Sequence, residues 1–380
     1  MIYLDNAATS WPKPEIVYQA MDRFLREKGG NPGHGSHSMA GAADETVNET
    51  RTIAARFLNS PDIDRIVFTL NCTDSINMGL KGLLKPGDHV IVSSLEHNSV
   101  IRPLSKLGRQ GITITRVPIS EKTGTVSPED VEKAVGPKTR LILMNHASNV
   151  NGAVQPVAEI GRIARACGLI FMVDAAQGAG HVPIDVRAWN ADLLVFSAHK
   201  GTMGPPGVGV LYIGERAILD TTREGGTGSS SESEEQPDRM PQRFESGTLN
   251  TVGIAGFGAG LKFIMEQGLE KIASHEDNLT GMLKEGLSKI PGVTLFSAGD
   301  ESIQLPVISF NINGYQPGVA GAILDQTFDI KVRTGLHCAP DAHRSIRTFP
   351  SGTIRVSPGY FNTAEDIEIT IDAVRKIARS

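Results

Sequence analysis

The sequence has few cysteines and no apolar stretch long enough to cross a membrane. Its three cysteines, Cys72, Cys167 and Cys338, are spread over 380 residues without paired spacing. This pattern disfavours a disulfide framework and a cysteine-type zinc site, and it favours a reducing compartment. Because no apolar run approaches the roughly 20 residues that span a bilayer, no membrane segment is expected. The cysteine spacing gives no reason to expect a metal site either.

A long run of basic residues is also missing. The formal net charge is −5, from 37 basic and 42 acidic residues, so nucleic acid and anionic membrane surfaces are not expected partners. The first residues, Met1–Asn6, contain neither a basic region nor an apolar signal core, which predicts a cytoplasmic protein. A chain of 380 residues is long enough for two domains.

What the sequence does contain is a repeated alternation of strand, polar loop and helix, beginning near Arg65. Short apolar runs such as His89–Ser93 predict buried strands, and amphipathic segments between them predict helices. This alternation predicts an α/β fold whose large domain, residues 15–255, has a mostly parallel sheet covered by helices. Residues 1–14 and 256–380 are predicted to form a smaller α+β domain, and Gly225–Arg243 a long loop.

Several element boundaries can be predicted from local signals. We expect a helix over Ile76–Leu84, capped by a hydroxyl of the preceding loop, either Thr73 or Ser75. Three more elements are predicted: a long helical region over Ile254–Ile290, a strand over Ile330–Thr334, and a closing helix over Ala364–Arg379 with Thr363 as its N-cap.

Seven polar residues fall just after predicted strands, at the sheet edge where parallel sheets collect ligands: Thr73, His97, Asn149, Asp174, Ser197, His199 and Lys200. Lys200 lies on a Gly/Pro-rich loop between the predicted strands Leu193–Phe196 and Gly207–Ile213. Burial there would lower its pKa and make the amine a nucleophile or a Schiff-base former. The alternative is an ordinary solvated loop lysine.

A lysine that can form an imine and a carboxylate at a strand end are what pyridoxal phosphate requires. Asp174, 26 residues before Lys200, could keep the pyridine nitrogen protonated, although a turn or a helix cap would also explain it. His97 could lie on the ring and relay protons, because the pKa of histidine lies near neutrality. Gln177 could donate a hydrogen bond to the phenolic oxygen.

Other residues could hold the charged ends of the cofactor and substrate. Thr73, Ser197 and His199 could bind the phosphate together with a helix N-terminus. Arg355 could bind a substrate carboxylate through two parallel hydrogen bonds. Each of these assignments is weak alone, and their convergence is what favours a cofactor site.

Six motifs appear in order along essentially the whole chain: Tyr3–Thr9, Glu96–His97, Asp174–Gln177, Ser197–Lys200, Phe244–Thr248 and Arg333–Ala339. They resemble the class V aminotransferase superfamily and, within it, the SUF-type (group II) branch of cysteine desulfurases and selenocysteine lyases. The aspartate–glutamine and histidine–lysine motifs are specific for the superfamily. The segment around Cys338 narrows the resemblance to desulfurases.

The resemblance implies a pyridoxal-phosphate enzyme of fold type I that converts cysteine to alanine. Lys200 would carry the cofactor, with Asp174, Gln177, His97 and the phosphate-binding residues in the roles given above. Asn149 and Arg355 would bind the substrate carboxylate. Thr248 would reach the phosphate of the other subunit, which implies a homodimer with shared active sites.

Cys338 would receive the sulfur as a persulfide and pass it to an acceptor protein. Arg333, assigned to the substrate side of the site, and His337 flank this thiol in sequence and could favour its thiolate. The chain departs from the family pattern at Leu336, where many members have a second histidine, and in the segments Gly225–Arg243 and Pro340–His343. These departures leave the acceptor and the substrate open.

Three hypotheses therefore remain at this point: a cysteine desulfurase, another activity that uses the same cofactor, and a protein without catalysis. A selenocysteine lyase, a cysteine sulfinate lyase or an epimerase would use the same cofactor site. A non-catalytic scaffold protein would use none of it, and the presence of Lys200, Asp174 and Cys338 argues against that alternative.

Overall fold

The computed structural model describes residues 1–33, 37–228, 232–299 and 303–379. The strands in these ranges are β1 (Ile2–Tyr3), β2 (Ile66–Thr69), β3 (His89–Ser93), β4 (Thr113–Val117), β5 (Thr139–Asn145), β6 (Ile170–Asp174), β7 (Leu193–Ser197), β8 (Gly209–Ile213), β9 (Val293–Phe296), β10 (Ile308–Ile312), β11 (Ile330–Lys331), β12 (Arg333–Gly335) and β13 (Thr353–Val356). The helices are α1 (Glu15–Arg23), α2 (Ser38–Phe57), α3 (Cys72–Leu83), α4 (Asn98–Gly108), α5 (Pro128–Lys133), α6 (Val157–Ala166), α7 (Thr251–Gln267), α8 (Leu269–Ser288), α9 (Pro317–Phe328), α10 (Pro340–Ser345) and α11 (Ala364–Arg379).

Seven strands form the main sheet in the order β2-β8-β7-β6-β5-β3-β4. All neighbours are parallel except β8, which runs antiparallel to both β2 and β7. Helices α3 and α4 pack on one face, and α2, α6 and α7 pack on the other, each through a cluster of buried apolar side chains. The predicted mostly parallel sheet covered by helices is confirmed.

A second sheet, of order β12-β13-β10-β9, packs against α8, α9 and α11 through its own apolar cluster. This separate core supports the proposed division into two domains, whose exact boundaries stay a prediction. Among the described residues of Gly225–Arg243 there is neither a helix nor a strand, while 229–231 lie outside the described residues. Over the same described ranges, no helix is both long and apolar enough to cross a bilayer.

In three places the structure differs in detail from the predicted elements. Helix α3 begins at Cys72, because the side chain of Asn71, rather than Thr73 or Ser75, accepts a hydrogen bond from the Asp74 amide and caps it. The predicted region Ile254–Ile290 is two helices separated by Gly268, whose φ of +83° interrupts the helix. The segment predicted as one strand at Ile330–Thr334 is two strands, since β11 pairs with β1 and β12 pairs with β13.

The closing helix α11 begins as predicted. Thr363 Oγ1 accepts from the Asp366 amide at 3.2 Å, and Asp366 Oδ2 accepts from the Thr363 amide at 3.0 Å. These reciprocal bonds form a capping box, which satisfies amides that the first turn leaves unpaired.

The N-terminal segment connects the two sheets. Strand β1 pairs in parallel with β11, and Asp5 pairs with Ser357 beside the four-stranded sheet. The chain then reaches the loop after β7, where the Ser10 amide donates to the carbonyl of His199 at 3.0 Å. Residues 5–10 therefore lie between the end of the large sheet and the second sheet.

Candidate active site

A cavity of about 230 Å³ lies at the carboxyl ends of the parallel strands. Every predicted site residue except Cys338 and Thr248 lines it, namely Thr73, His97, Asn149, Asp174, Gln177, Ser197, His199, Lys200, Arg333 and Arg355. The register of the sheet explains the convergence, because Asn145 pairs with Asp174, and Asp174 pairs with Val195 of the next strand. The three strands therefore end at one edge.

Lys200 and Asp174 face this cavity from adjacent strands. Lys200 lies on the loop between β7 and β8, and burial lowers the pKa of its amine, an effect that the negative charge of Asp174 opposes. Burial raises the pKa of Asp174, while a hydrogen bond from the Ala176 amide at 3.0 Å opposes that rise. The expected desolvated lysine and its carboxylate are present together.

Cys72 is a site residue that sequence reasoning missed. Its Sγ lies 3.5 Å from Asp174 Oδ1, and burial raises the pKa of this thiol, so it stays protonated and can donate to the carboxylate. Cys72 also lies in the predicted phosphate-binding loop, which was the available signal. Its sequence position gave no indication that its side chain would turn toward Asp174.

One end of the cavity is suited to an anion. Helix α3 starts there with its N-terminal amides and with Thr73 in its first turn. Ser197 Oγ accepts a hydrogen bond from the Cys72 amide at 2.9 Å, which leaves the hydroxyl proton free to donate. The ring of His199 lines the same cavity. Helix N-termini and hydroxyl donors together form a typical phosphate site.

His97 caps helix α4 and has a fixed tautomer. Its Nδ1 accepts from the Ser99 amide at 3.0 Å, so the proton of the neutral ring is on Nε2. Burial and the nearby cations, beginning with Lys200, lower the pKa of His97 to about 4. The prediction that this pKa lies near neutrality is therefore wrong, and the imidazole is neutral.

Gln177 and Asn149 both make main-chain contacts at the cavity wall. Gln177 Nε2 donates to the carbonyl of Ala7 at 3.0 Å, and Asn149 Nδ2 donates to the carbonyl of His337 at 2.7 Å. Each amide group has a second N–H that these bonds leave available. Asn149 thereby connects the large sheet to the segment that precedes Cys338.

Arg355 is almost completely buried, with 1% of its surface exposed. Its Nη2 lies 2.7 Å from Asp5 Oδ1, and its Nη1 donates to the carbonyl of Asn149 at 3.1 Å. Arg333 lies opposite Arg355 in the antiparallel pair β12–β13. Two guanidinium groups therefore approach the cavity from the second sheet.

Cys338 lies beyond the lining of the cavity, and Arg333 connects the two. Arg333 Nη2 is 3.5 Å from the Cys338 sulfur. His337 and Cys338 have φ angles of +47° and +59°, and the Cys338 carbonyl accepts from the Asn98 amide at 2.7 Å, next to His97. Two consecutive left-handed residues make a tight turn that other contacts must hold in place.

Thr248 does not reach this cavity. It is exposed on the segment before α7, while Glu245, three residues earlier, is buried in an ion pair with Arg51. An exposed position is compatible with a role at a second subunit, and that role stays a prediction.

Glu96 is a second residue that sequence reasoning did not assign. It is fully buried, and its Oε1 accepts from Ser93 Oγ at 2.6 Å and from the Asn145 amide at 2.9 Å. Its Oε2 has no hydrogen-bond partner, and burial raises the pKa of the carboxyl to about 8. Glu96 joins the ends of β3 and β5 immediately before His97.

The family model for class-V aminotransferases matches residues 2–369. The chain belongs to this family. Its members are enzymes that depend on pyridoxal phosphate.

Two curated relatives match over nearly full length. A "Probable cysteine desulfurase" of Methanothermobacter thermautotrophicus is 38% identical, over 99% of this chain and 94% of the relative. A "Cysteine desulfurase" of Escherichia coli O157:H7 is 33% identical, over 100% of this chain and 94% of the relative.

Solved structures agree with these relatives. The apo structure of a cysteine desulfurase from Thermococcus onnurineus has 34% identity and a TM-score of 0.93, covering 100% of this chain and 94% of that one. A cysteine desulfurase of Escherichia coli, determined with an S-sulfonic acid, has 28% identity and a TM-score of 0.89, covering 99% of this chain and 94% of that one. The fold is therefore the fold type I of pyridoxal-phosphate enzymes.

Proposed function

We propose that this protein is a pyridoxal-phosphate-dependent cysteine desulfurase that converts cysteine to alanine and places the sulfur on Cys338. The observation that carries the proposal is the combination of Lys200 and Asp174 in one cavity, with Arg333 connecting that cavity to the Cys338 sulfur. The near full-length relatives named cysteine desulfurase support the same activity.

The cavity offers a matching group for each polar feature of pyridoxal phosphate. Lys200 can form an imine with the aldehyde, Asp174 can pair with the protonated ring nitrogen, and Gln177 has a free N–H for the phenolic oxygen. Ser197 and the start of α3 suit the phosphate. When bound, the cofactor withdraws electrons from the Cα of an amino-acid substrate.

Lys200 is the group best placed to move protons in this site. Because burial lowers the pKa of its amine, Lys200 can lose its proton more readily than an exposed lysine and act as a base toward the substrate Cα. His97 presents a neutral Nε2–H and can donate a hydrogen bond within the cavity that it lines. Asp174 lines the same cavity, and its negative charge raises the pKa of Lys200.

The substrate carboxylate is assigned to Arg355 and Asn149. Arg355 is buried at the cavity wall and offers N–H groups in a planar fork, which suits a carboxylate. Asn149 can add its second amide N–H. Arg333 then lies on the side of the site that faces Cys338.

The thiolate of Cys338 attacks the sulfur of the bound cysteine. A sulfur–sulfur bond forms as the substrate carbon–sulfur bond breaks, the electron pair stays on the carbon, and that carbon gains a proton to end as alanine. Arg333, 3.5 Å from the sulfur, stabilises the attacking thiolate. The persulfide then passes to an acceptor protein, and a reducing cytoplasmic location would keep the thiol free between turnovers.

Cofactor absorbance and product formation test the proposal together. We expect the Cys338→Ala holoenzyme to keep its absorbance and to lose alanine formation from cysteine on the order of 100-fold. The matched control is Cys167→Ala, because Cys167 is exposed at the end of α6 and should leave both readouts unchanged.

Parallel assays with selenocysteine and cysteine sulfinate distinguish the alternatives. Full turnover of either compound by Cys338→Ala, together with slow use of cysteine by the unmodified protein, would favour a lyase. Sulfide or alanine release from cysteine at an unchanged rate in Cys338→Ala would show that Cys338 is not the nucleophile.

A further inference from the structure

The arginine assigned to the substrate carboxylate already has a carboxylate partner within the chain. Asp5 Oδ1 lies 2.7 Å from Arg355 Nη2, and the arginine is 1% exposed while the aspartate is 22% exposed. A buried guanidinium is costly without a counter-charge, and Asp5 supplies that charge.

Asp5 is held by contacts that do not involve Arg355. Ser357, two residues after Arg355, pairs with Asp5 through the backbone. The Ala7 amide donates to Ser357 Oγ at 3.0 Å, and Asn6 Nδ2 donates to the Ser357 carbonyl at 3.0 Å. The aspartate is therefore fixed by its own segment and can orient the arginine.

The contacts of Arg355 leave some N–H groups of its guanidinium without a partner. One N–H of Nη1 is used by the Asn149 carbonyl and one of Nη2 by Asp5, while Nε is buried without a partner. A guanidinium carries five N–H groups, so three remain, which is enough for a bidentate carboxylate. Because buried polar atoms normally have a hydrogen-bond partner, the unpaired Nε indicates that a ligand binds this side of the guanidinium.

We propose that Asp5 is a positioning residue with two effects. It orients the guanidinium of Arg355 so that the unpaired N–H groups are available to a ligand, and its charge lowers the affinity of Arg355 for the carboxylate of amino-acid ligands. The inference rests on the proposed role of Arg355 in binding that carboxylate. The substrate and the product alanine carry the same carboxylate. A buried arginine without a negative charge beside it would therefore bind both tightly. A second carboxylate beside the arginine repels the ligand and favours product release.

Binding of L-alanine to the holoenzyme tests this directly, with alaninamide as the probe that has the amine but no carboxylate. Asp5→Asn removes the charge and keeps a hydrogen-bond acceptor. We expect it to bind alanine about tenfold more tightly, while alaninamide affinity stays unchanged. Asp5→Ser is a second neutral variant for which the same direction is expected, in case Asp5→Asn folds poorly.

Two controls separate this inference from the proposed function. Asp22→Asn removes the same charge from an exposed pair with Arg26 and should leave both affinities unchanged. Arg355→Gln should weaken alanine binding and leave alaninamide binding as it is. If Arg355→Gln weakens alanine but neither Asp5 variant tightens it, the Asp5 inference is wrong. If Arg355→Gln leaves alanine binding unchanged, the assignment of Arg355 itself is wrong.

Discussion

Glu96 has the environment of a carboxyl that is neutral in the folded protein. It is fully buried, one of its oxygens has no partner, and its pKa is raised to about 8 by burial. An unfolded chain would ionise the same group near its ordinary pKa of 4.5. Its contribution to stability is therefore complete below pH 4.5 and is lost as the pH rises toward 8.

Glu96→Gln should remove this pH dependence, because glutamine resembles the protonated acid in shape. We expect the variant to match the unmodified protein near pH 5 and to exceed its free energy of unfolding by a few kcal/mol near pH 8. Urea unfolding at both pH values measures the difference. Glu368→Gln on the exposed face of α11 is the control, and an equal pH profile for Glu96→Gln and the unmodified protein would contradict the prediction.

The chemistry of individual residues was partly predictable. Lys200 and Asp174 follow strands whose apolar pattern is clear, so their meeting at one sheet edge could be expected. The low pKa of His97 could not be predicted from the sequence. It depends on burial and on cations that the fold brings together, including Lys200 and Arg333. The contact between Asp5 and Arg355 spans 350 residues, and no local signal predicts such a pair.

At the scale of elements, the buried pair of Arg51 and Glu245 connects α2 to the segment before α7. Two hydrogen bonds of 2.8 and 2.9 Å join the guanidinium and the carboxylate, and Glu245 also accepts from the Phe68 amide at 2.7 Å. This arrangement holds the start of the segment that carries Thr248.

Removing one partner of this pair should be costly. We expect Glu245→Ala to lower the free energy of unfolding by about 3–5 kcal/mol, because it leaves the arginine buried and unpaired. Asp22→Ala breaks an exposed pair with Arg26 and should cost less than about 1 kcal/mol. Urea denaturation measures the free energy of unfolding of both variants. Similar losses in the two would show that the buried pair of Arg51 contributes no more to stability than the exposed pair.

Element boundaries were predictable where a local signal acts alone. The capping box of Thr363 and Asp366 is such a case, and α11 begins where it predicts. The break at Gly268 was missed because the apolar pattern continues through it, and only the backbone conformation of that glycine divides the helix. The start of α3 was missed because Asn71, Thr73 and Ser75 compete to cap it.

At the scale of the whole molecule, the position of Thr248 is compatible with the predicted homodimer with shared sites. Thr248 is exposed and does not line the cavity formed by its own chain, although it lies in one of the six segments on which the family resemblance rests. If Thr248 completes the site of a second subunit, two inactive variants should complement each other.

We expect this complementation when Lys200→Ala and Thr248→Ala subunits are unfolded, mixed and refolded together. A mixed dimer would contain one site with neither substitution, so cysteine turnover should return to about a quarter of the unmodified level. Refolding each variant separately is the control. Mixtures no more active than the separate variants would contradict the sharing of sites.

The pairing of Asp5 with Arg355 also has a consequence for protein synthesis. The ribosome adds Asp5 first and Arg355 350 positions later. A nascent chain can complete its seven-stranded sheet, with Lys200 and Asp174 in place, well before Arg355 is available. The proposed site for the substrate carboxylate is therefore complete only after β13 has been synthesised.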